Sequence, residues 1–122
     1  MTDGRRGIEP EVVYDLCGLV DYQPGSIASR MLVFKKAGTI TLFAFDEGEG
    51  LPEHTAPYEA VLTVLEGTAR VTIRNRAYTL GPGQVIVLPA SVPHAVQAVT
   101  RFRMELVMIH EREEGRTQSD LR

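Results

Sequence analysis

The feature that most constrains this chain is the period of its hydrophobic residues. Between Ile27 and Ile109 apolar side chains recur at every second position in short runs, and breaks bearing Gly, Pro or Asn interrupt them every several residues. A period of two belongs to strands with one face on a core, whereas a helix repeats every three to four residues. The clearest run places Phe102, Met104, Leu106 and Met108 on one face and Arg101, Arg103 and Glu105 on the other, until Val107 and Ile109 make both faces apolar. Further strands are predicted at Ile27 to Lys36, Thr39 to Asp46, Ala60 to Leu65, Ala69 to Arg74, Ala77 to Leu80, Val85 to Leu88 and Ala95 to Thr100. Breaks at Ala37-Gly38, Glu66-Gly67, Asn75-Arg76 and Gly81-Pro82-Gly83 each supply a residue that suits a turn. The fold class is therefore all-β, with the short strands closing as an antiparallel barrel or sandwich.

At 122 residues the chain fits one domain, expected over residues 11–110, with polar tails at 1–10 and 111–122 that have little apolar surface to bury. Val12 to Val20 (VVYDLCGLV) is ambiguous, since Leu16, Leu19 and Val20 suit a helical turn and the β-branched start suits a strand. Hydrophobic residues at 43% and charged residues at 24% argue against a disordered or fibrous chain. A net charge of -3 without a Lys/Arg stripe leaves no electrostatic footprint for nucleic acid. No stretch approaches the ~20 apolar residues of a membrane helix, and no signal peptide is recognisable, so a cytoplasmic protein is expected. Cys17 stands alone, which excludes an intramolecular disulfide and suits a small buried side chain. Val61 to Leu65 and Val85 to Leu88 are apolar on both faces, so their outer faces need a cover; a second copy of the chain, in a homodimer, is the expected one.

Two stretches carry the chemistry: GEGLPEHTAPYEAVLTVLEG from Gly48 to Gly67 and GQVIVLPASVPHAVQA from Gly83 to Ala98. Together they resemble the paired motifs of the cupin family. Its first motif is glycine, five residues, His, one residue, His, three or four residues, Glu, six residues, glycine. Gly48, His54 and Gly67 match it, while Ala56 stands at the second histidine and Ala60 at the glutamate. The second motif is glycine, five residues, Pro, one residue, Gly, two residues, His, three residues, Asn. Gly83, Pro89 and His94 match it, with Ser91 at the glycine and Ala98 at the asparagine. The resemblance spans roughly Ile27 to His110 and implies a cupin-type antiparallel β-barrel, or jelly roll.

In such a barrel alternate residues point inward, so His54, Ala56, Ala60 and His94 are expected to converge. The family holds a divalent metal there, which makes His54 and His94 candidate ligands for Fe, Mn, Ni or Zn. A catalytic metal usually takes three protein ligands. Glu59, one position before the lost glutamate, would supply the third if a β-bulge turned it inward; without a bulge it stays on the outer face. Gln97, water or a substrate group are the other sources.

The acidic run Asp46, Glu47, Glu49 and Glu53 reads either as a cation-attracting mouth or as a solvated loop. Met104 and Met108 read as core fillers rather than thioether ligands. Alanines at 56 and 60 would enlarge a chamber walled by Leu62, Val64, Val71, Ile73, Phe102 and Met104, suited to a mainly apolar molecule with one polar group. Three functions follow: a module that encloses a small organic ligand anchored by His54 and His94, a metal-dependent enzyme of dioxygenase or isomerase type, or a structural or partner-binding role in which the cavity is packed shut. Catalytic residues are not assigned, because one barrel serves many chemistries.

Overall fold

The computed structural model describes residues 7–111. Nine strands follow in chain order among them: β1 (Ile27–Lys35), β2 (Gly38–Phe45), β3 (Gly50–His54), β4 (Glu59–Glu66), β5 (Ala69–Ile73), β6 (Arg76–Leu80), β7 (Val85–Leu88), β8 (His94–Ala98) and β9 (Phe102–Ile109). They form two antiparallel sheets, ordered β1-β2-β9-β4-β7 and β3-β8-β5-β6. The alternation seen in the sequence sorts each strand into two faces. On β4, Ala60, Leu62 and Val64 are buried while Glu59, Val61 and Thr63 are not; on β9, Phe102 and Met104 are buried while Arg103 and Glu105 are half-exposed.

The buried faces of the two sheets meet in one core that contains Phe45, Leu62, Val64, Val71, Phe102 and Met104. The rings of Phe45 and Phe102 stack with centroids 4.5 Å apart. Tight turns hold the strands in register. Between β5 and β6 only Arg74 and Asn75 intervene, at φ +51° and +68°, and Ile73 pairs with Arg76, which is the two-residue hairpin that matches strand twist. The break expected at Asn75-Arg76 therefore falls one residue earlier.

A second apolar cluster lies outside the five-stranded sheet. Val20, Ala28, Leu32, Leu42 and Ala44 form it, with Ile8, Leu16, Leu19, Tyr22 and Leu65 packed against them. The ambiguous segment Val12 to Val20 is the cover, and its one regular element is a 3-10 turn at Leu16–Leu19. A polar cluster pins this segment to the sheet. The Tyr22 hydroxyl donates to Glu66 Oε2 at 2.5 Å, Arg103 pairs with the same carboxylate, and Arg103 Nε donates to the Val20 carbonyl at 2.9 Å. The Arg101 and Arg103 guanidinium groups lie 3.8 and 4.3 Å from the Tyr22 ring centroid. Burial, followed by the Glu66 carboxylate, pushes the Tyr22 pKa up to about 12. The Tyr22 hydroxyl and then the Arg103 charge hold Glu66 below the usual carboxylate range.

This arrangement alters two expectations. Gly7 and Ile8, placed in the polar tail by the sequence, donate backbone hydrogen bonds to Met31 and Leu32 of β1 at 3.2 and 3.0 Å. The remainder of both expected tails, residues 1–6 and 112–122, lies outside the described residues. Leu65, expected to need a second copy, packs against the chain's own N-terminal segment. On β7, Val85 and Val87 remain 57% and 47% exposed, and Val85 is the larger apolar surface on which the expectation of a covering partner rests. No helix among the described residues is long and apolar enough to cross a membrane.

Candidate functional site

The four-stranded sheet brings the two motif histidines together. β3 is its edge and β8 its neighbour, and His54 pairs directly with His94 across the ladder. The sequence reading missed β3 because GLPEH contains a proline and lacks alternation. An edge strand tolerates both, since one side of its backbone makes no ladder bonds, and the register shifts between Leu51 and His54. His94 is flanked on its other side by Ile73 of β5 and is only 7% exposed, while His54 is exposed. The pair thus spans the boundary between interior and surface. Its ring centroids are 4.4 Å apart, with the rings inclined at 69°.

Each imidazole is held by the chain two residues before it. His54 Nδ1 lies 2.9 Å from the Pro52 carbonyl oxygen and His94 Nδ1 lies 3.1 Å from that of Val92. A carbonyl only accepts, so in the neutral ring each Nδ1 carries the proton and donates it. Both Nε2 atoms are then bare acceptors. This is the same second-partner arrangement that orients ligating or hydrogen-bonding histidines in general.

Burial holds the His94 pKa below its ordinary value, and the neighbouring His54 acts in the same direction; the Val92 carbonyl opposes them. The folded state therefore binds fewer protons than the unfolded state between the depressed value and the unperturbed one near ~6.5, so stability rises with pH across that window. It is lost as pH falls through the folded value. We expect the thermal midpoint to fall between about pH 7.5 and about pH 5, with a shallower fall in His94→Gln, as read by circular dichroism. Equal slopes would show that His94 does not carry the effect.

The other predicted site residues are placed as follows. Ala56 is half-buried in the β3–β4 loop, where its carbonyl accepts the Ser91 amide at 2.7 Å. Ser91 has φ +61°, which explains why the family motif has glycine there. Ala60 faces inward and belongs to the core. Glu59 does not join the histidines. Its ladder runs without interruption from Glu59–Ile109 and Ala60–Met108 to Val64–Met104, with a shift only between Val64 and Glu66, so the bulge that would turn it inward is absent. Alternation leaves Glu59 exposed on the face opposite Ala60.

The side chains expected to wall a chamber are placed in the interior. Leu62, Val64, Val71, Phe102 and Met104 are almost wholly buried and pack into one core, with Ile73 at its margin. Three surface clefts of about 560, 590 and 520 Å³ lie elsewhere, and neither His54 nor His94 lines them. In the acidic run, Asp46 accepts the Gly25 and Glu47 amides at 2.6 and 2.9 Å, and these bonds hold its carboxyl below the ordinary range. It is a turn-closing residue. Gln97 donates its amide to the Gly48 carbonyl at 2.9 Å. Cys17 lies on the segment outside the opposite sheet.

Comparison with known proteins fits these two sheets and their paired motifs. The model of the cupin domain family matches residues 41–110. The chain belongs to the cupin family. A conserved protein of unknown function from Streptococcus pyogenes is 38% identical to this cupin over 87% of this chain and 93% of that one, with a TM-score of 0.81. A cupin 2 conserved barrel domain protein from Leptotrichia buccalis is 36% identical over 79% of this chain and 47% of its own, with a TM-score of 0.76. A salicylate 1,2-dioxygenase from Pseudaminobacter salicylatoxidans, 21% identical over 71% of this chain and 27% of its own with a TM-score of 0.65, shares the jelly-roll fold alone. No curated protein matches.

Many cupins hold a metal at the motif histidines, and the donor set of this cupin can be tested against that role. Two imidazoles with bare Nε2 atoms are suitable donors, but among the described residues no group of three or more His, Cys, Asp or Glu side chains comes together. The set falls one protein ligand short of a catalytic centre and has no anionic member.

Proposed function

We propose that this cupin binds a small organic molecule where its interior meets solvent, with His54 and His94 as the polar anchors. The observation that carries this reading is the pair of backbone carbonyls, of Pro52 and Val92, that take up both Nδ1 protons. Two bare acceptors on rings whose centroids lie 4.4 Å apart suit a ligand with two donors, such as adjacent hydroxyl or amino groups, or a single group that donates twice. His94, half of the anchor, is buried, where a hydrogen bond to a ligand is stronger than in water. The apolar rim beside it is supplied by Ile73.

The test is to purify wild type and a His54→Ala, His94→Ala double variant without a nickel column, then analyse both for released organic molecules and for metals. The expected result is an organic molecule released from denatured wild type and missing from the double variant, with no stoichiometric metal in either. Stoichiometric metal that disappears in the double variant, without an organic molecule, would overturn the reading in favour of a metal-dependent cupin in which water or substrate completes the coordination.

A further inference from the structure

A second site lies at the seam where the edge of the four-stranded sheet, β6, faces the edge of the five-stranded sheet, β7. A cleft of about 520 Å³ opens there. Its floor is apolar: Ile73, Ile86, Val87 and Pro89. Its charged wall is Arg74 and Arg76, and no acidic residue lines it. Neither arginine has a hydrogen-bonded or ionic side-chain partner among the described residues, whereas Arg103 is fully engaged with Glu66 and Val20. We infer that this cleft binds a small organic anion, with its acidic head on Arg74 and Arg76 and its apolar body on Ile73, Ile86, Val87 and Pro89.

Three features support this assignment. The volume is that of a small-molecule site, and an apolar floor with a few convergent charges is the usual make-up of one. Guanidinium groups offer forked N–H donors that match the two oxygens of a carboxylate or the oxygens of a phosphate. The hairpin that carries them is also unusual. The turn needs two positive φ values, for which Asn-Gly is the favoured pair, yet Arg74 occupies the first position at +51°. An arginine kept in a left-handed conformation suits a side chain that is needed at that place. The Arg74 amide donates to the Pro93 carbonyl at 3.2 Å, so the turn is tied to the loop that leads into His94. The cleft borders the histidine site through Ile73, but neither histidine lines it, so it would stand even if the pair bound no organic molecule.

Three probes test it by amide chemical-shift changes in the full chain: benzoate, phenyl phosphate and the neutral benzyl alcohol. The expected result is saturable shifts centred on Arg74, Arg76, Ile86 and Val87, with at least one anion bound about tenfold or more tightly than benzyl alcohol. Which anion binds more tightly identifies the head group. In Arg74→Gln with Arg76→Gln that preference should disappear with the thermal midpoint unchanged; if the double variant does not fold, Arg76→Gln alone should reduce anion affinity several-fold. In the His54→Ala, His94→Ala variant the shifts should persist. Equal binding of benzyl alcohol, shifts scattered over the surface, or anion affinity unaffected by the arginine substitutions would overturn the proposal.

Discussion

Gly67→Ala is expected to destabilise the fold severely. Gly67 closes β4 at φ +80°, in the left-handed region, and a Cβ there would overlap the Arg101 carbonyl oxygen and lie 2.6 Å from Phe102 Cβ. The left-handed conformation alone costs an L-residue about 1–2 kcal/mol. The overlap falls on backbone at the start of β9, which sits between β2 and β4 and cannot retreat without opening the sheet. Together these should reach about 3 kcal/mol or more, a large part of the ~5–15 kcal/mol by which a domain is stable. Gly83→Ala is the control. Gly83 has nearly the same φ, +82°, but nothing lies within 4 Å of a Cβ added there, so a loss of only about 1–2 kcal/mol is expected. Urea unfolding of both variants decides the matter: equal losses would show that close approach to β9 is not what requires glycine at 67.

Phe102→Ala should cost about 3–5 kcal/mol in the same measurement. The Phe102 ring is fully buried, stacks on Phe45, and lies among Leu62, Val64 and Met104. Truncation would leave a cavity bounded by both sheets, with little freedom to collapse. This substitution also discriminates between two uses of the interior. If these side chains walled a ligand chamber, removal of the ring would enlarge a space already present and cost much less. A loss below about 1 kcal/mol would restore the chamber and contradict the packed core described here.

Most of the fold was legible in the sequence because strand period and turn residues are local signals. The alternation of Phe102 to Met108 predicted which face of β9 is buried, and Gly67 and Gly83 marked bends that the backbone makes. Two segments were harder. β3 was hidden because an edge strand with a register shift does not need alternation, and only the motif position of His54 pointed to it. The N-terminal segment was ambiguous because its side chains do not follow a period; they fill the outer face of another sheet, and Tyr22, Glu66 and Arg103 that hold it are far apart in sequence. A signal was present in the pairing of Glu66 with Arg103 on adjacent strands, but it cannot be read without register.

The candidate site was legible in part. Spacing against the family motifs brought His54 and His94 together, and the ladder pairs them directly. What spacing could not convey was direction. Glu59 stays outside because the ladder around it is regular, and an inserted residue is a property of pairing rather than of composition. The chamber expected from Ala56 and Ala60 assumed that lost side chains leave space, whereas Ala60 is core and Ala56 stands in a loop hydrogen-bonded to Ser91. Arg74 and Arg76 escaped notice because one lies in a turn and the other beside it, where arginine is usually just solvated.

His54 and His94 each donate Nδ1–H to the chain and present Nε2 as a bare acceptor. Long-range proton–nitrogen correlation of the two imidazoles at alkaline pH tests this directly. Both rings should show a protonated Nδ1 and an unprotonated Nε2. A protonated Nε2 on either ring would contradict it, because that atom would then be unable to accept a hydrogen bond from a ligand.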